Sequence, residues 1–184
     1  MIENTDLSVL VEPTLTWYEA NKRDLPWRKD KDPYHIWVSE IMLQQTRVEA
    51  VIPYYERFMT ALPTIEALAK CQEDPLLKLW EGLGYYNRVR NMQKAAQTIC
   101  AEYGGQMPQT YDGIVALSGI GPYTAGAIAS IAFDERVPAV DGNVLRIFSR
   151  VSQDDSDILK DATKKRMTAQ LSQIMPKEAG AFNQ

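Results

Sequence analysis

Two glycines, one residue apart, constrain this chain more than any other feature. In Leu117-Ser118-Gly119-Ile120-Gly121-Pro122-Tyr123-Thr124-Ala125 a helix from Tyr111 to Leu117 has to stop and the backbone has to reverse. A second helix then starts at Pro122, whose fixed φ suits the first helical position. That second helix runs to Phe133 and is rich in small residues (Ala125, Gly126, Ala127, Ala129, Ser130), so it can pack closely on its neighbours. Such a helix–hairpin–helix ends on a helix N-terminus, where free N–H groups and the macrodipole attract an anion. Glycines at the turn let a bulky anion approach without a Cβ in the way. A nucleic-acid phosphate meets that description, and no net positive charge is needed. A plain αα-hairpin also uses glycines; the full string favours phosphate binding.

The rest of the chain reads as helix as well, with no alternating strand pattern competing. Leu10 to Asn21 forms a first helix with Trp17 on its apolar side, and Arg23-Asp24-Leu25-Pro26-Trp27-Arg28 breaks it. Asp32-Pro33 is an N-cap followed by proline, opening a helix that extends through Gln45 or Thr46. Pro53 and Pro63 mark later helix starts, Thr64 to Ala69 is a short helix, and Pro75 starts one that ends near Gly82-Leu83-Gly84. Arg88 to Tyr103 is amphipathic and is stopped by Gly104-Gly105. Pro138-Ala139-Val140-Asp141-Gly142 is a buried connector, followed by an apolar helix through Val151. The expected class is all-α.

Composition narrows the function classes. A chain of 184 residues can bury a sizeable core. No apolar run reaches the length of a membrane span, and the start of the chain (Met1, Glu3, Asp6) lacks a signal-peptide pattern. The expectation is a cytoplasmic protein, nucleoid-associated if bacterial, with no membrane partner. Two cysteines, Cys71 and Cys100, stand singly, which rules out a disulfide scaffold or a four-cysteine metal site within these residues. The lone His35 has no ligand partner, so no metal is expected. The net charge of −4 does not announce a nucleic-acid binder. Basic residues nonetheless gather at Lys22, Arg23, Arg28, Lys29 and Lys31 and at Arg88, Arg90 and Lys94. Acidic ones gather at Asp154, Asp155, Asp157 and Asp161.

Two carboxylates stand out. Glu40 lies in Ile36-Trp37-Val38-Ser39-Glu40-Ile41-Met42-Leu43, and burial there would keep it protonated near neutral pH and able to donate. The bland alternative is a solvated position beside Gln44 or Arg47. Asp141 precedes Gly142-Asn143 and a helix containing Val144, Leu145, Ile147 and Phe148. It reads first as an N-cap, and helix N–H groups around it favour the charged form, suited to stabilising a developing cation. A neutral acid beside an ionised carboxylate is the pairing that cleavage through an oxocarbenium ion requires. Gln44-Gln45-Thr46 offers polar side chains able to fill the space left by a flipped base. Tyr85-Tyr86 offers an aromatic wedge or stack.

Taken in order, Leu25-Pro26-Trp27-Arg28, Trp37 to Thr46, Gly82-Leu83-Gly84-Tyr85-Tyr86, the hairpin and Val140-Asp141-Gly142-Asn143-Val144 resemble the endonuclease III superfamily, and within it the MutY-type adenine DNA glycosylases. The resemblance runs from about Leu15 to the last residue. It implies a six-helix barrel lobe over 29–134 with the hairpin at 117–125, and a second helical lobe from 1–28 and 135–184. It casts Glu40 as the acid that protonates flipped adenine at N7 and later helps activate water. Asp141 becomes the stabiliser of the sugar cation, with Asn143 supporting it. Tyr123 stands where bifunctional relatives carry a Schiff-base lysine; a phenol forms no imine, which implies a monofunctional enzyme. Arg23, Leu25, Trp27 and Arg28 line the base pocket. Gln44, Gln45, Thr46, Tyr85, Gly119, Gly121 and Thr124 meet DNA, with Gln45 and Tyr85 intercalating.

The implied partner is double-stranded DNA with adenine opposite 8-oxoguanine or guanine, bound by a monomer. Members of this group continue past Phe182-Asn183-Gln184 into four cysteines holding a [4Fe–4S] cluster and a domain that reads 8-oxoguanine. The expectation is therefore a truncated chain, with no cofactor within these residues and the cluster in the full-length protein. Two rivals remain at this point: a pyrimidine-lesion glycosylase with lyase activity, and a non-catalytic DNA-binding fragment.

Overall fold

A computed structural model describes residues 6–184; Met1 and Glu3, part of the leader argument, lie outside the described residues. Every regular element among the described residues is helical, as the periodicity predicts. A 3₁₀ turn (Leu7–Leu10) leads into α1 (Val11–Asn21), and a second (Pro26–Arg28) precedes α2 (Pro33–Met42). Then come α3 (Val48–Ala61), α4 (Ile65–Lys70), α5 (Glu73–Trp80), α6 (Asn87–Glu102), α7 (Tyr111–Val115), α8 (Pro122–Phe133), α9 (Gly142–Val151), α10 (Asp161–Ile174) and α11 (Ala179–Asn183). The starts follow from local chemistry. Asp32 accepts from the Tyr34 N–H with Pro33 at the first position, Thr64 caps α4 through Ala67, and Thr110 caps α7 through Gly113.

Three local expectations are corrected. α2 ends at Met42, short of Gln45, because Leu43 to Thr46 turn away and carry the loop into α3. Pro53 lies inside α3 rather than at its start; the buried face of Val51, Tyr55 and Phe58 holds the helix through the missing hydrogen bond. Trp17 is 65% exposed, and Tyr18, the next residue, turns inward instead. α1 packs on α11, and that contact selects the inward stripe.

Apolar side chains gather in two clusters. The larger joins Leu25 and Trp27 to residues of α2 through α8, with Trp37, Phe58, Trp80, Met92 and Ile128 fully buried at its centre. The smaller brings Leu7 against Leu145 and Phe148 of α9 and Met167 and Leu171 of α10, so both ends of the chain meet there. α2 packs along α8, and α8 also touches α7 and α11. Seven consecutive residues of α8, Thr124 to Ser130, are buried, which the small side chains make possible. At Gly126 a Cβ would stand 2.6 Å from the Pro138 carbonyl oxygen. Glycine therefore lets the connector after α8 lie directly on the helix. Asn183 pins the same connector: its Nδ2 donates to Ser130 Oγ (2.8 Å) and Val137 O (2.9 Å), and its Oδ1 accepts from Ala139 N (3.0 Å). The connector delivers Asp141 to the N-terminal end of α8, near Tyr123.

Candidate active site

α2 and α8 place Glu40 and Tyr123 face to face. Glu40 is half-buried near the end of α2, directly after Trp37, Val38 and Ser39, which are shut off from solvent. Burial pushes its carboxyl from 4.5 to about 7; the Tyr123 hydroxyl, within hydrogen-bonding reach, and the Arg28 charge oppose the rise, and the Asp141 charge adds to it. Tyr123, the second residue of α8, is held well above the ordinary phenol range, chiefly by burial and then by the charges of Glu40 and Asp141. It stays protonated, able to donate to the carboxyl.

Both residues line a cavity of about 160 Å³, walled also by Arg23, Leu25, Trp27, Arg28 and Ser39. Leu25 and Trp27 are buried, with Trp27 edge-on to Tyr55 at 5.2 Å. Arg28 lies over the Tyr18 ring at 5.7 Å, and Arg23 is exposed at the rim. Val48, Asn183 and Gln184 also line it. Sequence reasoning gave none of these three a role, because nothing in a local pattern links a residue of α3 or the end of α11 to Glu40.

Asp141 caps α9 from just outside that cavity. Its Oδ1 accepts from the Asn143 and Val144 N–H groups (both 2.8 Å), and its Oδ2 accepts from Asn143 Nδ2 (2.8 Å). Asn143 in turn accepts from Arg146. The carboxylate is thus held by three donors, and its charge is felt at both Glu40 and Tyr123.

The other sequence-marked residues lie apart from the cavity's interior. Gly119 has φ +75°, and a Cβ there would meet Asn91 Cβ at 2.6 Å. Gly121 is extended, with open space where a Cβ would be, and no side chain caps α8. Its first N–H groups are therefore free to meet an anion. Thr124 is buried (3% exposed), so what it offers a DNA backbone is its main-chain N–H and not its side chain. Gln45 (φ 60°) and Tyr85 (φ 47°) both adopt the left-handed conformation at exposed loop tips, and Gln44 and Thr46 are half-buried beside Gln45. The basic clusters are partly neutralised, Lys22 by Glu19, Lys31 by Asp134 and Arg90 by Glu73. In the acidic stretch, Asp154 pairs with Arg166.

A [4Fe–4S] cluster needs four thiolates. The chain has two cysteines, Cys71 after α4 and Cys100 within α6, and no group of three metal-ligating side chains occurs among the described residues. These residues do not fit such a cluster. No helix among the described residues is long and apolar enough to cross a membrane.

Residues 38–177 match the family described as HhH-GPD superfamily base excision DNA repair protein. The adenine DNA glycosylase of Rattus norvegicus is 42% identical over 189 residues, 97% of this chain and 37% of that protein. The adenine DNA glycosylase of Homo sapiens is 43% identical over 180 residues, 92% of this chain and 33% of that protein. The chain thus spans about a third of the length of these curated relatives. A solved thermostable thymine-DNA glycosylase superposes with a TM-score of 0.84 at 27% identity, covering 95% of this chain and 81% of that one. Endonuclease III in a trapped covalent complex with DNA shares the fold, with a TM-score of 0.78 at 22% identity over 100% of this chain and 83% of that one. On the match across most of its length, the chain belongs to the HhH-GPD superfamily of base excision DNA repair proteins.

Proposed function

We propose that this chain carries the base-releasing machinery of a monofunctional adenine DNA glycosylase, acting as a monomer on duplex DNA with adenine opposite 8-oxoguanine or guanine. The observation that carries the reading is Glu40 at about 7, facing the cavity against Tyr123, with Asp141 held just outside the cavity by its three donors. The names of the relatives, adenine DNA glycosylases, supply the base.

The chemistry follows from these groups. Glu40 gives its proton to N7 of an extruded adenine, and the C1′–N9 bond breaks with its electron pair going to the departing base. The Asp141 carboxylate offsets the positive charge left on the sugar. Water then adds to C1′, and its proton returns to the Glu40 carboxylate. The products are free adenine and an abasic site. Tyr123 has no amine, so no imine forms and the strand stays intact. Leu25 and Trp27 give the base an apolar slot, and the free N–H groups behind Gly121 take a backbone phosphate. Such an enzyme works where the DNA is, which in a bacterial source would be the nucleoid within the cytoplasm.

A single-turnover assay on a duplex with one adenine opposite 8-oxoguanine tests the reading. Strand breaks only after alkali are the expected result. Duplex binding with no adenine released would reduce the chain to a DNA-binding module. A covalent adduct trapped by borohydride would replace the hydrolase with a lyase.

A further inference from the structure

The loop between α2 and α3 and the loop between α5 and α6 are joined by one side chain. Arg88, in the first turn of α6, sends Nη1 to the carbonyls of Ile41 (2.7 Å), in the last turn of α2, and Gln44 (2.8 Å), in the first loop. It sends Nη2 to those of Leu83 (2.9 Å) and Gly84 (3.2 Å) in the second. Its Cζ lies 5.4 Å from the Trp80 ring and 5.7 Å from the Tyr85 ring, and Nε is buried with no partner. None of the ion pairs among the described residues includes Arg88. Four of its donor bonds therefore go to neutral backbone, and none to a carboxylate.

Two of those carbonyls have a special place in the chain. Gln44 O precedes Gln45 and Gly84 O precedes Tyr85, the left-handed non-glycine residue at each loop tip. Non-glycine side chains seldom hold that conformation unless the surroundings impose it. The guanidinium fixes the peptide entering each tip, and its planar fork fixes the distance between the two peptides. Beside Arg88 a cleft of about 410 Å³ runs from Gln44 to Tyr85 and reaches Asn91 of α6 and Gly119 of the hairpin. A lysine ammonium is a single point with no fork, so it cannot hold four carbonyls spread over the end of α2 and two loops at once.

We propose that Arg88 is a positioning residue that locks Gln45 and Tyr85 into one rigid double wedge, so that both tips enter a duplex together at a set spacing. The proposal rests on the DNA-facing reading of those two tips. Arg88 itself touches neither the base pocket nor the reacting sugar. Its role is in opening the pair, before the glycosidic bond is broken.

The test is extrusion, read by stopped-flow fluorescence of a 2-aminopurine beside the mispair at saturating protein. Arg88→Lys is expected to slow the fluorescence rise roughly ten- to a hundredfold. It should slow nothing further in a chain already carrying Gln45→Ala and Tyr85→Ala, since the lock then has nothing to hold. An equal loss in both backgrounds, or no loss in either, overturns the proposal. A spin-label pair on Gln45→Cys and Tyr85→Cys, with Cys71 and Cys100 replaced by serine, reads the lock without altering Arg88. One narrow distance, kept when duplex is added, is expected; a broad or shifted distribution overturns the proposal even where Arg88→Lys does not fold. A chain that unstacks the probe but releases no adenine defeats the proposed function and leaves the wedge standing. Adenine release with no coupling between Arg88 and the tips defeats the wedge alone.

Discussion

The Tyr123 hydroxyl and the Glu40 carboxyl meet across the contact of α2 and α8, and burial there raises Glu40 to about 7 while Tyr123 pulls it back. The acid is therefore poised, half protonated, where the proposed chemistry needs it. Adenine release is expected to be level at lower pH and to fall tenfold per unit once pH passes about 7. Glu40→Gln is expected to lose roughly a hundredfold or more in single-turnover rate while duplex affinity is retained. Undiminished release in that variant removes Glu40 from the mechanism.

The same shift carries a stability prediction with a definite sign. Between 4.5 and about 7 the folded chain holds a proton on Glu40 that the unfolded chain has lost, so stability contributed by this group falls as pH rises through that window. Glu40→Gln is free of the penalty. It is expected to match the wild type near the lower end and to exceed it above pH 7 by on the order of 1 to 3 kcal/mol, with cavity water holding the gain below the full shift. Urea unfolding at both ends of the window measures the difference; equal stability throughout would mean Glu40 titrates as in the unfolded chain.

Tyr123→Phe gives a less intuitive outcome. The hydroxyl favours the ionised form of Glu40, so removing it raises the carboxyl further and moves the falling limb of the pH profile upward. The neutral-pH rate is expected to survive within about tenfold, since the acid is then more fully protonated. A limb that moves down, or stays in place, would show that the two groups do not share the hydrogen bond.

Much of this was legible because the helices obey local rules. Asp32-Pro33, Thr64 and Pro122 start helices where they should, and the glycine pair forces the hairpin. What local pattern could not deliver was convergence. Val48, Asn183 and Gln184 reach the Glu40 cavity from α3 and the end of the chain, and Arg88 was one basic residue among three. Arg90, two residues on, pairs with exposed Glu73, while Arg88 turns inward to backbone carbonyls; nothing in the sequence distinguishes them. Trp17 misled for a related reason: its neighbour Tyr18 takes the inward place once α11 is known to lie there. Thr124, read as meeting DNA, has only its backbone N–H to do so, because α8 is enclosed from Thr124 to Ser130.

Asp141 has two duties that one substitution separates. As a cap it uses Oδ1 to accept from Asn143 and Val144, and as a charge it faces Glu40 and Tyr123. Asparagine caps helices as well as aspartate does, so Asp141→Asn is expected to cost less than about 1 kcal/mol in chemical unfolding. The lost charge is expected to lower the release rate by about two or three powers of ten. A loss of stability large enough to account for the lost rate would return Asp141 to a purely structural role.

The two hairpin glycines should fail differently. Gly119 sits at φ +75° with Asn91 Cβ 2.6 Å from where its own Cβ would be, so Gly119→Ala strains the turn and pushes α6 away. A loss of about 1 to 3 kcal/mol is expected, visible as a lower Tm. Gly121 is extended and faces open space. An alanine there fits the fold, and the cost is under about 1 kcal/mol for the weaker cap. That methyl group instead occupies the approach to the free N–H groups of α8, and duplex affinity is expected to fall about tenfold, with the salt dependence of binding becoming shallower by about one phosphate. If Gly121→Ala binds duplex as the wild type does, the phosphate lies elsewhere, and the hairpin is only the joint that brings Tyr123 to Glu40.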